Sequence, residues 1–178
     1  MKQSLIEKLA GWLKSKEKHR LISRDIYSPR GIDYNQCNTV HVSTVHDGNS
    51  ATGIRNRYRQ KYLERYYLVR TRWVAIFIHR FWASDEDPVH DHPWDNVSWV
   101  VKGGYFENLP DGQRLWRGPG YKSFRTAEEF HSIEIPAGNE GKVWSVFVRF
   151  RRRRKWGFWC QDEWKEAAYQ SENDEICK

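Results

Sequence analysis

Two histidines one residue apart, His90 and His92, stand in the run Pro88-Val89-His90-Asp91-His92-Pro93-Trp94-Asp95-Asn96. Side chains on an extended backbone alternate with a period of two, so both imidazoles face one side and can reach one ion. Neutral imidazole suits Fe, Ni, Cu and Zn, and histidine alone does not choose among them. The strand-like run Val97 to Val101 follows and ends at Gly103-Gly104, a glycine pair that reads as a tight turn. The layout is strand, sharp corner, strand, turn. Other histidines fit less well. His41 and His46 lie five apart, on opposite faces of a straight strand. His79 shares a face with Trp73, Ala75, Phe77 and Phe81, company that suits a hydrogen-bonded core residue.

This stretch resembles the first motif of the cupin superfamily, in which His-x-His is followed by an acidic ligand and then by glycine. His90, His92 and Gly103 fall on that pattern, and Asn96 stands where the family has glutamate, with Asp95 just before it. Some cupins, notably the thiol dioxygenases, use three histidines and no carboxylate. The second cupin motif supplies a further histidine after a Pro-x-Gly turn. Its counterpart here is Gly118-Pro119-Gly120 followed by Phe130-His131-Ser132-Ile133-Glu134-Ile135, which makes His131 the third candidate ligand. The resemblance covers roughly residues 60 to 160. It is nearest to small bacterial and phage cupin-like proteins that carry a His-Asp-His-Pro-Trp run. It implies an all-β fold, a double-stranded antiparallel β-barrel or jelly roll.

If His90, His92 and His131 converge, they leave open positions on the ion, as catalytic sites do. Three neutral nitrogens keep the ion's double positive charge, which draws a small anionic molecule or a chelating thiolate and amine. Fe(II) is the expected ion, with Zn, Ni or Mn as substitutes. Asp95 would either complete a histidine and carboxylate set or orient a histidine from behind. Substrate contacts are expected from Arg125 and Arg149, whose guanidinium groups can hold a carboxylate or phosphate through two bonds, and from Tyr105 and Glu107 just past the double glycine. An internal salt bridge and a packed ring are the alternative for these four.

The chain of 178 residues is long enough for one domain with a proper core. Aromatics make up 15% of it, with ten tryptophans, and most of these rings are expected in the core. The formal charge of +7 favours acidic partners, and part of it is the block Arg151-Arg152-Arg153-Arg154-Lys155. A solvated basic loop explains that block without nucleic acid. Cys37, Cys160 and Cys177 form no Cys-x-x-Cys pair and suggest no disulfide framework. No apolar run approaches 18 residues, so the expectation is a cytoplasmic protein without a membrane span.

The elements that must position these residues follow from periodicity. Leu5, Ile6, Leu9, Trp12 and Leu13 recur at helical spacing within residues 2 to 18, predicting an N-terminal helix over roughly 1–20 that packs across the barrel or against a second copy in a homodimer. Strands are expected at Leu21 to Tyr27 and Thr39 to Val45, and a short helix entering a strand between Ile54 and Glu64. One or two strands are expected over 65 to 82. Shorter ones follow at Arg114 to Arg117, Lys122 to Arg125 and His131 to Ile135, with a long one at Lys142 to Phe150. The turn spacing suits an antiparallel sandwich or barrel. A short C-terminal helix over 161 to 170 and a loose tail over 171–178 complete the expectation.

Three functions fit this reading. The first is a metal-dependent enzyme, a non-haem iron oxygenase acting on a small anionic or thiol-containing molecule. The second is a barrel that binds a small ligand or partner protein without reaction. The third is a metal-independent sugar isomerase or epimerase with a histidine base.

Overall fold

The computed structural model describes residues 3–28, 56–85, 89–160 and 163–166. The described chain is one helix, α1 (Leu5–Ser15), followed by strands β1 (His19–Ser28), β2 (Asn56–Arg70), β3 (Ala75–Phe81), β4 (Trp94–Lys102), β5 (Tyr105–Asn108), β6 (Arg114–Arg117), β7 (Lys122–Arg125), β8 (Ser132–Glu134), β9 (Val143–Arg152), β10 (Gly157–Cys160) and β11 (Glu163–Glu166). All pairings are antiparallel. Six strands form the larger sheet in the order β1-β2-β3-β9-β4-β7, and three form a second in the order β6-β5-β8. Leu63, Phe81, Val100 and Val143 from the first pack with Tyr105 and Ile135 from the second side, so the core lies between the sheets. This is an antiparallel two-sheet barrel, the architecture that the motifs imply.

Alternation decides what faces that interior. In the larger sheet, one cross-strand row is Phe77, Phe147, Ser98 and Ser123, and the next is Arg65, His79, Ser145 and Val100. Residues in register share a face, so both rows look inward. The opposite face, with Tyr66, Ile78 and Trp144, looks outward, and α1 covers it with Ala10 and Leu13. Burial of that stripe, rather than helix propensity, holds so short a helix. Glu7 adds an ion pair to Lys102 at 2.7 Å and accepts a hydrogen bond from the Ser4 N–H at 2.8 Å. Leu5 and Trp12, expected on the buried face, are exposed.

At the corner between β4 and β5, Gly103 has φ +70°, and a Cβ there would meet the Lys142 carbonyl oxygen at 2.8 Å. Only glycine combines that conformation with that approach.

Several expectations are corrected. Residues 56–64 are strand, the first part of a 15-residue β2, and not a helix. The second strand of the 65–82 segment starts at Ala75, because Thr71 accepts the Val74 N–H on its Oγ1 at 3.0 Å and closes a turn containing Trp73. The C-terminal helix is replaced at residues 163–166 by β11, paired with β10. Its Trp164 lies so close over Gly157 that a Cβ there would clash. The tryptophans are less uniformly core than expected, since Trp12, Trp73, Trp99, Trp116 and Trp156 are exposed. Instead, cations lie over many of the rings: Arg72 and Arg151 over Trp73, Lys122 over Trp99, Arg80 over Trp82. The predicted strand at Thr39 to Val45, His41 and His46, residues 167–170 of the predicted helix and the 171–178 tail lie outside the described residues.

Candidate metal centre

His90, His92 and His131 come together. Each offers a ring nitrogen, and these atoms all lie within 4.8 Å of one another. Backbone pairing brings them there. His90 and His131 exchange both main-chain hydrogen bonds, at 2.9 and 3.0 Å, and on its other side the His90 segment pairs with β10 around Phe158. The His-Asp-His run is thus a short extended piece held between two neighbours. Alternation then turns His90 and His92 inward and Asp91 outward.

Asp91 is fully buried on that outer side. It accepts hydrogen bonds from the Gly157 N–H at 2.7 Å and the Trp164 indole at 2.8 Å, and Arg154 stands 3.3 Å away. The middle residue of the motif therefore ties the histidine segment to the β10–β11 hairpin. Sequence reasoning gave it no role, although its position between two ligands forces it to face the other way.

The ring nitrogens suit an ion. His92 Nε2 and His131 Nε2 are 3.0 Å apart. Two nitrogens each about 2.1 Å from one ion, at a right angle, would be separated by about this distance. Burial holds His92 well below the ordinary histidine value, and its two neighbouring histidines add to that, so its ring is neutral with a lone pair to offer. Behind His131, the Glu107 carboxylate lies 2.9 Å from Nδ1. That contact fixes the Nδ1 proton and leaves Nε2 as acceptor, the arrangement that orients metal-binding histidines.

The other candidate site residues are distributed differently. Asp95 is not in the cluster: its Oδ1 accepts from the Ala127 N–H at 2.8 Å and from Arg153 at 2.8 Å. The period of two points it away from the side that Trp94 and Asn96 share, and Asn96 is the one that lines the cavity, 2% exposed, with an amide nitrogen that has no partner among the described residues. Glu107 sits buried between Arg117, Arg125 and His131, as the internal salt bridge given as its alternative. Burial works against its charge, yet the hydrogen bond from His131 and the charge of Arg125 prevail and hold it at about 2. Arg125 lines the cavity while spending its charge on Glu107. Arg149 lies outside the cavity wall, donating to the Phe150 and Thr71 carbonyls at 3.3 Å with its guanidinium over Trp94. Tyr105 is a buried ring in the wall. His79 is a hydrogen-bonded core residue outside the cluster.

The histidines open on a cavity of about 640 Å³ between the sheets. Apolar atoms, among them those of Phe81, Phe147, Leu63 and Ile133, make most of its exposed wall, and polar side chains including Arg65, Asp85, Asn96, Arg125 and Ser145 stand among them. Trp156 stands beside His90, 6.0 Å between ring centres.

Fold and site together define an antiparallel two-sheet β-barrel with a three-histidine cluster in its cavity wall. No protein-family model matches the chain, and no curated protein matches it. Solved structures similar to it include the polyketide cyclase RemF from Streptomyces resistomycificus (19% identity, 64% of this chain and 75% of that one, TM-score 0.46). KdgF from Halomonas sp. is similar at 18% identity over 51% of this chain and 80% of that one, with a TM-score of 0.41. A cupin superfamily protein from Desulfitobacterium hafniense is similar at 15% identity, over 50% and 77%, with a TM-score of 0.41. At that distance the chemistry of this chain has to come from its own residues.

Proposed function

We propose that the chain is a metal-dependent enzyme of cupin type, with Fe(II) held by His90, His92 and His131, and that it is an oxygenase of a small anionic or thiol-containing molecule. The observation that carries this reading is the three imidazoles whose nitrogens lie within 4.8 Å of one another in the wall of a cavity. When bound, such an ion supplies a Lewis-acidic centre with open positions and, as iron, one-electron chemistry with dioxygen.

The chain's own residues support that chemistry. Glu107 holds the His131 ring in one tautomer and one orientation. Phe81, Phe147 and Ile133 keep the neighbouring volume apolar, which strengthens any charge interaction made there. Among the described residues no carboxylate joins the three imidazoles, which leaves the ion's charge for an anionic substrate.

Elemental analysis of the purified protein, with oxygen uptake measured after iron is restored in the presence of small carboxylates and thiols, tests the reading. The expected result is close to one metal ion per chain, lost in His92→Ala, and substrate-dependent oxygen uptake. Preparations with all three histidines intact that take up no metal would overturn it.

A further inference from the structure

Among the described residues the cavity contains a cation with no carboxylate paired to it; the carboxylate that lines the same cavity, Asp85, is bonded to the Tyr62 hydroxyl and the Ile133 N–H. Arg65 on β2 lines the cavity, and among the described residues no carboxylate pairs with it. Its Nε donates to His79 Nε2 at 3.0 Å, and its guanidinium lies over the Phe77 ring at 4.8 Å. His79 cannot turn to release it, because Phe77 and Phe147 stack against that imidazole at 5.8 and 5.1 Å and Phe81 meets it edge-on. Burial pushes His79 well below the ordinary histidine value, so it is a neutral acceptor rather than a competing cation. The guanidinium is thus held through one N–H and one face, and among the described residues its two terminal nitrogens have no partner.

The surroundings sharpen the contrast. Arg125, the other cavity arginine, spends its charge on Glu107. Burial is the main effect opposing the charge of Arg65; the Tyr67 and Tyr62 hydroxyls act in its favour, and Arg20 and Arg149 act against it. A half-buried cation with cationic neighbours and no carboxylate costs stability. Such an arrangement persists where a ligand supplies the missing charge. In the same inward row, beside His79 and two strands from Arg65, is Ser145, whose Oγ is buried and has no hydrogen-bond partner among the described residues. Strand spacing puts the Arg65 and Ser145 backbones about 10 Å apart, a span that a small molecule can bridge.

We propose that Arg65, braced by His79 and Phe77, is the anion anchor of the cavity and binds the carboxylate or phosphate end of the ligand. A planar guanidinium offering two donors fits either oxyanion. Ser145 then meets a second polar group of the same molecule. The proposal deepens the enzymatic reading and rests on it only for what happens after binding.

The test measures thermal stabilisation and calorimetric affinity of the full chain with benzoate, phenyl phosphate and the neutral benzyl alcohol. Each is run before and after dialysis against EDTA, so that an oxyanion held by a metal ion at the histidines is told apart from one held by Arg65. Benzoate or phenyl phosphate is expected to stabilise the chelated protein, benzyl alcohol much less, and which anion binds better tells carboxylate from phosphate. Arg65→Met should weaken the preferred anion at least tenfold, leave metal content unchanged, and raise the melting temperature of the ligand-free protein by relieving the unpaired cation. Arg65→Lys, which keeps the charge and loses the fork, should bind with intermediate affinity and serves if the methionine variant does not fold. Equal affinity of wild type and Arg65→Met for both anions, or no oxyanion binding to chelated wild type, overturns the proposal. A protein that binds no metal but shows Arg65-dependent anion binding would sink the enzymatic reading alone.

Discussion

The Glu107 carboxylate lies 2.9 Å from His131 Nδ1, and the opposite nitrogen of that ring lies 3.0 Å from His92 Nε2. A carboxylate on β5 thereby sets which way a nitrogen points on the far side of an imidazole. Its own charge is held by Arg117 at 2.8 Å and by Arg125.

Glu107→Gln should therefore act on the metal without touching it. An amide placed between two arginines and a histidine loses the charge that balances both cations and no longer fixes the His131 tautomer. Metal affinity is expected to fall about 10- to 100-fold, measured by competition with a chromophoric chelator. An affinity equal to wild type would show that His131 is oriented by its backbone alone.

Asp95 and His131 offer a paired test of which side chains hold the ion. Asp95→Ala should retain full metal content, and should cost about 1–3 kcal/mol of stability because the Ala127 N–H loses its acceptor. His131→Ala should lose the ion. Urea denaturation with elemental analysis on the same samples reads both quantities. Metal loss on removing Asp95 would place that carboxylate among the ligands.

The sequence made the histidine pair legible because a one-residue gap has only one geometric meaning on extended backbone. The strand pattern from Arg114 to Phe150 was legible for the same reason, since alternation such as Ser145, Phe147 and Arg149 against Trp144, Val146 and Val148 survives folding. Periodicity does not say which strand lies beside which. The neighbours of Glu107, at positions 117, 125 and 131, come from three different strands or loops and could not be read in advance. Arg65 escaped notice because Arg-Tyr-Tyr-Leu carries no sign that histidine, rather than a carboxylate, awaits it across the sheet. The 163–166 segment misled because Trp164 and the following alanines have helical spacing, whereas the indole is held by Asp91, distant in sequence. The basic block had no evident use, yet Arg153 pairs with Asp95 and Glu128, and Arg154 with Asp91.

Asp91→Asn tests the tie between the motif and the β10–β11 hairpin. Asparagine has one acceptor where two N–H donors now converge, and its amide protons would face one of them. One buried donor is left unsatisfied, and Arg154 loses its counter-charge, so the chain should be destabilised by about 1–3 kcal/mol. Hydrogen exchange should show the loss locally first, at the Trp159 N–H, which donates to the Val89 carbonyl at 2.9 Å. Uniform loosening of the whole barrel, with no lead at the hairpin, would remove the anchoring role.

Glu64 gives a pH dependence remote from the histidine cluster. Burial pushes its carboxyl up, but Lys61 at 2.7 Å, the Tyr66 hydroxyl at 2.9 Å and the charge of Arg80 outweigh that and leave it below the ordinary value of 4.5. A carboxyl depressed on folding stabilises the native state fully above its unfolded pKa, and the contribution is lost as pH falls through the folded value. Wild-type stability from this group should thus hold from neutrality to about pH 5 and decline further into acid, below 4.5. Glu64→Gln should be less stable than wild type at pH 7, because a buried hydrogen-bonded charge is removed from beside Lys61 and Arg80. The two proteins should converge as wild-type Glu64 takes up its proton. Urea midpoints taken at pH 7, 5, 4 and 3 read that convergence, and parallel curves at all four values would mean that Glu64 keeps the same affinity for its proton in the folded and unfolded chain.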